Sequence, residues 1–138
     1  MAEQQNVIFK LDDVEYGIDI MQVNEIVKLQ PITKMPNTQD FVDGVINLRG
    51  RVIPVVDLKV KFNLGRKERN ENNRIIVINV NNKTLGMVVD EVAEVIRINE
   101  EQIDDAEAIS VDINEDYIRG VAKIESRLVI LLNLENIF

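Results

Sequence analysis

The 138-residue sequence predicts an all-β protein built as two five-stranded barrels, and three observations carry that expectation. About ten short apolar or alternating runs follow one another at close spacing, punctuated by turn residues. Few segments are long enough to carry a helical period. The fifteen residues from Gly44 to Leu58, GVINLRGRVIPVVDL, return in degenerate form from Gly120 to Leu134 as GVAKIESRLVILLNL. Ten of the fifteen positions keep their character, among them Gly44/Gly120, Arg51/Arg127, Ile53/Val129 and Leu58/Leu134. Such a repeat implies one supersecondary unit used twice.

A second match lies upstream. Tyr16 to Val27 (YGIDIMQVNEIV) aligns with Leu85 to Ile96 (LGMVVDEVAEVI) at an offset of 69 residues, whereas the later blocks are offset by 76. Seven extra residues therefore lie between Arg97 and Arg119 in the second half. Units of about 60 residues bury only ~60% of their unfolded surface, so the halves are expected to pack together as one domain, 1–138. The expected division is 7–62 for the first barrel, 63–73 for a connection and 74–138 for the second barrel. The pattern leaves open whether a terminal strand crosses between them.

The elements follow in order. Val7 to Leu11 and Val14 to Ile20 flank Asp12-Asp13 and predict a hairpin. Ile75 to Val80 and Thr84 to Val89 flank Asn81-Asn82-Lys83 and predict another, with the Asn pair suited to left-handed turn positions. Each half continues into a third run, Glu25 to Leu29 and Glu94 to Ile98. Asn37 to Asp40, bracketed by prolines, offers an N-cap for one helical turn before Gly44. Val45 to Leu48 and Arg51 to Val56 form a hairpin across Arg49-Gly50. Pro54 lacks a ladder donor and predicts an edge strand or a bulge there, while the echo, with Ile130, can pair on both sides. The polar, glycine-containing stretch Asn63 to Asn73 is the expected connection between halves. Glu100 to Asp116 is acidic, with room for a helical turn or two.

Composition narrows the function. There is no cysteine and no histidine, which removes disulfides, zinc-thiolate sites, thiol nucleophiles, imidazole bases and a phosphoacceptor histidine. Neither Ser110 nor Ser126 sits in a nucleophile-elbow turn. A net charge of -8 and six aromatic residues disfavour a nucleic-acid surface. No apolar run approaches the ~20 residues that span a bilayer, the first residues lack a leader pattern, and a cytoplasmic protein without direct membrane insertion is expected. Asp112 to Asp116 imitates the start of a calcium loop. Tyr117 then stands where glycine is needed and Lys123 where the closing glutamate belongs, so no metal or cofactor is expected. A carboxylate-only hydrolase using Asp12 and Glu15 is the catalytic rival, but a hairpin turn offers it no cleft.

Charge is uneven: Arg49 to Arg74 holds eight basic and three acidic residues. This stretch either steers an acidic partner or keeps a loop solvated. The repeat diverges at its tip, Arg49-Gly50 against Glu125-Ser126, as surface positions do, whereas the shared apolar positions are expected in the core. Arg49 suits bidentate recognition of a partner carboxylate, or serves as a solubilising turn residue. Glu25, flanked by apolar residues in VNEIV, faces outward or into the seam between halves, as does Glu94.

Taken together, GVINLRGRVIPVVDL, YGIDIMQVNEIV, the proline-flanked PITKMPNTQDFV and LGMVVDEVAEVI resemble the CheW-type chemotaxis coupling proteins over essentially the whole chain. The resemblance implies two SH3-like barrels and a non-catalytic adaptor that joins the cytoplasmic tips of chemoreceptors to the regulatory domain of the histidine kinase CheA. It places Arg49 and Glu25 in partner binding, Val23 and Gly44 on or near the receptor-contacting surface, and Gly50 in the turn that holds Arg49. A similar scaffold in another two-component pathway would carry the same motifs. With no phosphoacceptor histidine and no room for a receiver domain, the resemblance implies a stand-alone adaptor.

Overall fold

Alternation and turn chemistry resolve into strands β1 (Glu3–Leu11), β2 (Val14–Asp19), β3 (Val23–Lys28), β4 (Val42–Leu48) and β5 (Arg51–Asp57) in the first half. The second half supplies β6 (Arg74–Val80), β7 (Lys83–Val89), β8 (Glu91–Asn99), β9 (Ile103–Asp104), β10 (Ile118–Ile124) and β11 (Arg127–Leu132). Single helical turns, α1 (Leu58–Lys61) and α2 (Leu134–Ile137), close the two copies of the repeat. The structure is a computed structural model, and it describes residues 3–36, 38–105 and 114–138. The all-β class is the one expected.

The strands form two sheets, one of six strands in the order β8-β1-β2-β11-β10-β9 and one of five in the order β3-β6-β7-β5-β4. These sheets do not coincide with the stretches 7–62 and 74–138. Hairpin β1–β2 joins the strands of the second half, and hairpin β6–β7 joins those of the first. The crossing is a whole hairpin from each half rather than one terminal strand. Parallel pairing fixes it: β2 lies beside β11 through Gly17 and Leu131, and β7 beside β5 through Gly86 and Val55. Glycine permits the first approach, since a Cβ on Gly17 would stand 2.9 Å from the Leu131 side chain, whereas one on Gly86 would meet Ile75 of its own hairpin at 2.7 Å and Val55 of β5 only at 3.7 Å.

The exchange explains why the second-half strand Ile75 to Val80 is nearly all apolar. Ile76 and Ile78 enter the core shared by both sheets, while Ile75 and Val77 enter a second core within the five-stranded sheet. A strand buried on both faces needs no alternation. The six-stranded sheet has the corresponding inner core in Ile8, Ile98, Ala122, Val129 and Leu131.

Two local expectations need correction. Pro54 lies on an inner strand, not an edge: β5 pairs with β4 and with β7. The ladder to β7 begins at Val55, one residue later, so the missing N–H costs no bond there, and the bulge falls on β4 between Val42 and Gly44. The segment after Pro36 forms a turn instead of a helix, with the Val42 N–H donating to the Gln39 carbonyl at 2.9 Å. Asn37, the first of the four residues that offered a cap, lies outside the described residues, as do Asp112 and Ile113 of the calcium-like stretch.

Ile130 on β11 does pair on both sides, with Val121 and Tyr16. The Asn81-Asn82 turn has φ of 51° and 63°, the left-handed geometry its residues favour. Among the described residues of the acidic stretch, short 3-10 turns lie at Glu100–Gln102 and Glu115–Tyr117, and residues 106–113 of it lie outside the description.

Candidate functional site

Arg49 and Gly50 form the two-residue tip of the β4–β5 hairpin, with φ of 51° and 85°. The Gly50 N–H donates to the Asn47 side chain at 2.9 Å, which holds the turn closed. From this tip the Arg49 guanidinium reaches Glu25 on β3 and donates to its carboxylate. β3 and β4 are the opposite edges of the five-stranded sheet, so the ion pair joins the sheet's two ends. The Arg49 side chain is 68% exposed and that of Glu25 31%, which leaves the guanidinium available to a second acceptor.

The remaining sequence-predicted residues are placed unevenly around this pair. Gly50 shares the tip, and Val23 lies two residues from Glu25 on β3, partly buried against the shared core. Gly44 stands at the far end of β4 and is buried. With φ of 146°, it admits the backbone of Thr33, whose carbonyl oxygen would lie 2.0 Å from a Cβ at this position. Its direct work is to let Thr33 and Val45 exchange 2.9 Å backbone hydrogen bonds.

The second half repeats the frame with different charges. Glu94 is opposite Ile8 just as Glu25 is opposite Val77, and each follows a bulged residue, Ala93 or Asn24. Glu94 is met by Arg127, 3.2 Å away. That arginine also donates to Glu15 through Nε at 3.1 Å and Nη2 at 2.6 Å. These bonds hold the Glu15 carboxyl below the ordinary carboxylate range. Arg51, the counterpart of Arg127, reaches only the Thr84 hydroxyl, at 3.5 Å, among the described residues. The first-half glutamate is thus left to the tip arginine.

Apolar residues flank the pair where the repeat alone predicts core. Val52 is 71% exposed and its counterpart Leu128 61%, and Ile26 and Val95 are also exposed. Shared apolar character did not distinguish these positions from buried Ile53 and Val129. Strand parity does, since Val52 points away from the face that carries Ile53. Ile26 follows Glu25 directly in the chain and Val52 lies three residues after Arg49, so each member of the pair has an exposed apolar residue near it in sequence.

No comparable arrangement supports hydrolysis at Asp12 and Glu15. Asp12 is engaged by Lys59 and Lys67 at 3.1 and 2.7 Å, and Glu15 by Arg127. Among the described residues no group of three or more acidic side chains is arranged to hold a metal ion, and no helix is long and apolar enough to cross a membrane.

The fold and this pair define a class: a two-sheet all-β protein with a repeated hairpin frame and an exposed ion pair at one hairpin tip. A sequence model described as the CheW-like domain matches residues 5–138, and the chain belongs to that family. It is 39% identical over 134 residues to the chemotaxis protein CheW of Klebsiella aerogenes, covering 97% of this chain and 81% of that one. It is 38% identical to the chemotaxis protein CheW of Helicobacter pylori, covering 96% and 80% respectively. The crystal structure of the scaffolding protein TtCheW from Thermoanaerobacter tengcongensis superposes with a TM-score of 0.90 at 37% identity, covering all of this chain and 89% of that one.

Proposed function

We propose that this protein is a non-catalytic chemotaxis adaptor that couples the cytoplasmic tips of chemoreceptors to the regulatory domain of the histidine kinase CheA. Its place of work is the cytoplasm, at membrane-associated receptor arrays. The observation that carries this reading is the exposed Arg49–Glu25 pair at the hairpin tip where the two copies of the repeat differ, with Ile26 and Val52 exposed close by in sequence. Membership of the CheW-like family supports it, as do relatives named as chemotaxis and scaffolding proteins. The receptor side comprises Val23, Glu25, Gly44, Arg49 and Gly50, with Gly44 acting through the backbone it shapes. The adaptor makes no bond of its own. It holds receptor and kinase in fixed relation, so that a change in one biases the conformational equilibrium of the other.

The test is a titration of the folded protein with a receptor cytoplasmic fragment and, separately, with the kinase regulatory domain, comparing wild type with Arg49→Ala and Glu25→Ala. Loss of receptor binding by about 1–3 kcal/mol with kinase binding retained is the expected result. Wild-type protein that binds neither partner would sink the adaptor reading.

A further inference from the structure

Residues 63–73 connect β5 and α1 to β6, and their cations are distributed between the two sheets. Arg66 donates to the Asp43 carboxylate at 3.1 Å and to the Asp40 carbonyl at 3.0 Å. Arg69 binds Asp43 and, at 2.8 Å, Asp57. Asp43 and Asp57 belong to β4 and β5, so these two arginines fasten the segment to the five-stranded sheet. Lys67 reaches the other way, 2.7 Å to Asp12 in the β1–β2 turn of the six-stranded sheet.

Asp12 is shared. Lys59 of α1 lies 3.1 Å from Asp12 and 3.3 Å from Asp90, the residue between β7 and β8 at which the chain passes from one sheet to the other. Asp90 in turn accepts the Asp12 N–H at 2.6 Å, and its carbonyl accepts from the Asn73 amide at 3.0 Å. The Lys59 side chain is only 8% exposed, whereas that of Lys67 is 65% exposed. One side of this cluster is therefore shielded from salt and the other is open to it.

The shared apolar core packs the sheets together, and the ion pairs at its edge add a restraint on their relative orientation that depends on charge. We infer that residues 63–73 form a salt-sensitive strap that locks the two sheets in one relative orientation, with Asp12 as the carboxylate where the strap and the buried Lys59 converge. Release begins at Lys67, because Arg66 and Arg69 hold the strap on the five-stranded sheet while only Lys67, among the strap's described cations, ties it to the six-stranded sheet. The inference stands independently of the adaptor reading.

The test uses the full chain, whose lack of cysteine lets Lys83→Cys and Ser126→Cys place one spin label on each sheet. Asp12→Asn removes the shared charge and keeps a residue suited to the turn's φ of 56°. It is expected to broaden the distance distribution between the labels and to accelerate exchange of the hydrogen-bonded strap amides of Leu64, Asn70 and Asn73 roughly tenfold, the scale of one lost charge-assisted contact. Raising sodium chloride from 0.1 to 1 M, which shortens the screening length from about 10 to about 3 Å, should move wild type the same way and leave Asp12→Asn little changed. An unchanged distribution and unchanged exchange in folded Asp12→Asn would overturn the strap. If that variant fails to fold by circular dichroism, Lys67→Gln decides by the same two readouts: faster exchange and a broader distribution support the strap, and wild-type behaviour in both overturns it.

Discussion

Glu25 and Glu94 occupy one position of the repeat, each just past a bulge, and each is held by a different arginine. Glu94 is taken by Arg127 from the strand beyond the tip, and Glu25 by Arg49 from the tip itself. The cause is the partner opposite. Where Arg127 has Glu15 to fix it beside Glu94, Arg51 meets only Thr84 among the described residues, and the first-half carboxylate pairs with Arg49 instead. The frame is the same in both halves, and Thr84 at the position that matches Glu15 separates the two charge arrangements.

Arg127→Gln is expected to lower stability at neutral pH by about 1–2 kcal/mol, since it leaves the partly buried Glu15 without its charged donor. The Glu15 carboxyl is depressed below its ordinary 4.5 chiefly by its bond to Arg127. A depressed carboxylate contributes stability above its unfolded value and loses that contribution as pH falls through the folded one. The gap between wild type and Arg127→Gln should therefore be full at pH 7 and shrink below about pH 4.5. Denaturant melts at pH 7, 5 and 3.5 measure it, and a pH-independent gap would remove Glu15 from the account.

Gly44 and Gly17 should differ in what alanine costs. At Gly44 a Cβ meets backbone, 2.0 Å from the Thr33 oxygen, at a φ of 146° that disfavours side chains. At Gly17 it meets only the ends of the Leu131, Ile8 and Val129 side chains, at 2.9–3.3 Å. Gly44→Ala is expected to cost about 3 kcal/mol or more and Gly17→Ala about 1–2 kcal/mol, read from shifts in the denaturation midpoint. Equal costs would mean that the segment around Thr33 can move aside.

The hairpin tips allow binding and stability to be separated. Arg49 and Glu125 both adopt left-handed φ, 51° and 56°, which costs a side-chain-bearing residue about 1 kcal/mol. Glu125→Gly should stabilise by about that amount. Arg49→Gly gains the same relief but loses an exposed ion pair worth ~0–1 kcal/mol, so its melting point should stay near that of wild type. If Arg49 contacts the receptor, Arg49→Gly will nonetheless bind the receptor fragment poorly. A variant that melts like wild type and binds like wild type would return Arg49 to the role of a solubilising turn residue.

Much of the frame was legible because it is local. Asn81-Asn82, Asp12-Asp13 and Arg49-Gly50 announce their turns through the few residues that tolerate left-handed backbone or tight reversal. The hairpin exchange was not legible, because it depends on parallel pairing between Gly17 and Leu131, residues 114 positions apart, and no short-range pattern encodes that choice. Arg49 and Glu25 could be singled out separately from tip divergence and strand parity. Their contact required knowing that β3 and β4 end the same curled sheet. Lys59 escaped notice for a related reason: nothing in LKVK distinguishes a lysine buried against two aspartates from one in water.

Val52 and Ile53 provide the sharpest division between fold and surface, being adjacent in sequence and opposite in environment. Ile53 is 1% exposed within the inner core of the five-stranded sheet, and Val52 is 71% exposed beside the charged tip. Ile53→Ala should cost about 2–5 kcal/mol through the cavity it leaves. Val52→Ser removes apolar area that is already wet and should change stability by less than about 0.5 kcal/mol. Its effect belongs to binding: if this face meets a partner, Val52→Ser weakens that complex, and the parallel change Leu128→Ser on the other sheet leaves it intact. Equal losses from both serine variants would show that the two halves contribute alike to the same complex, and the specialisation assigned to the first half would fall.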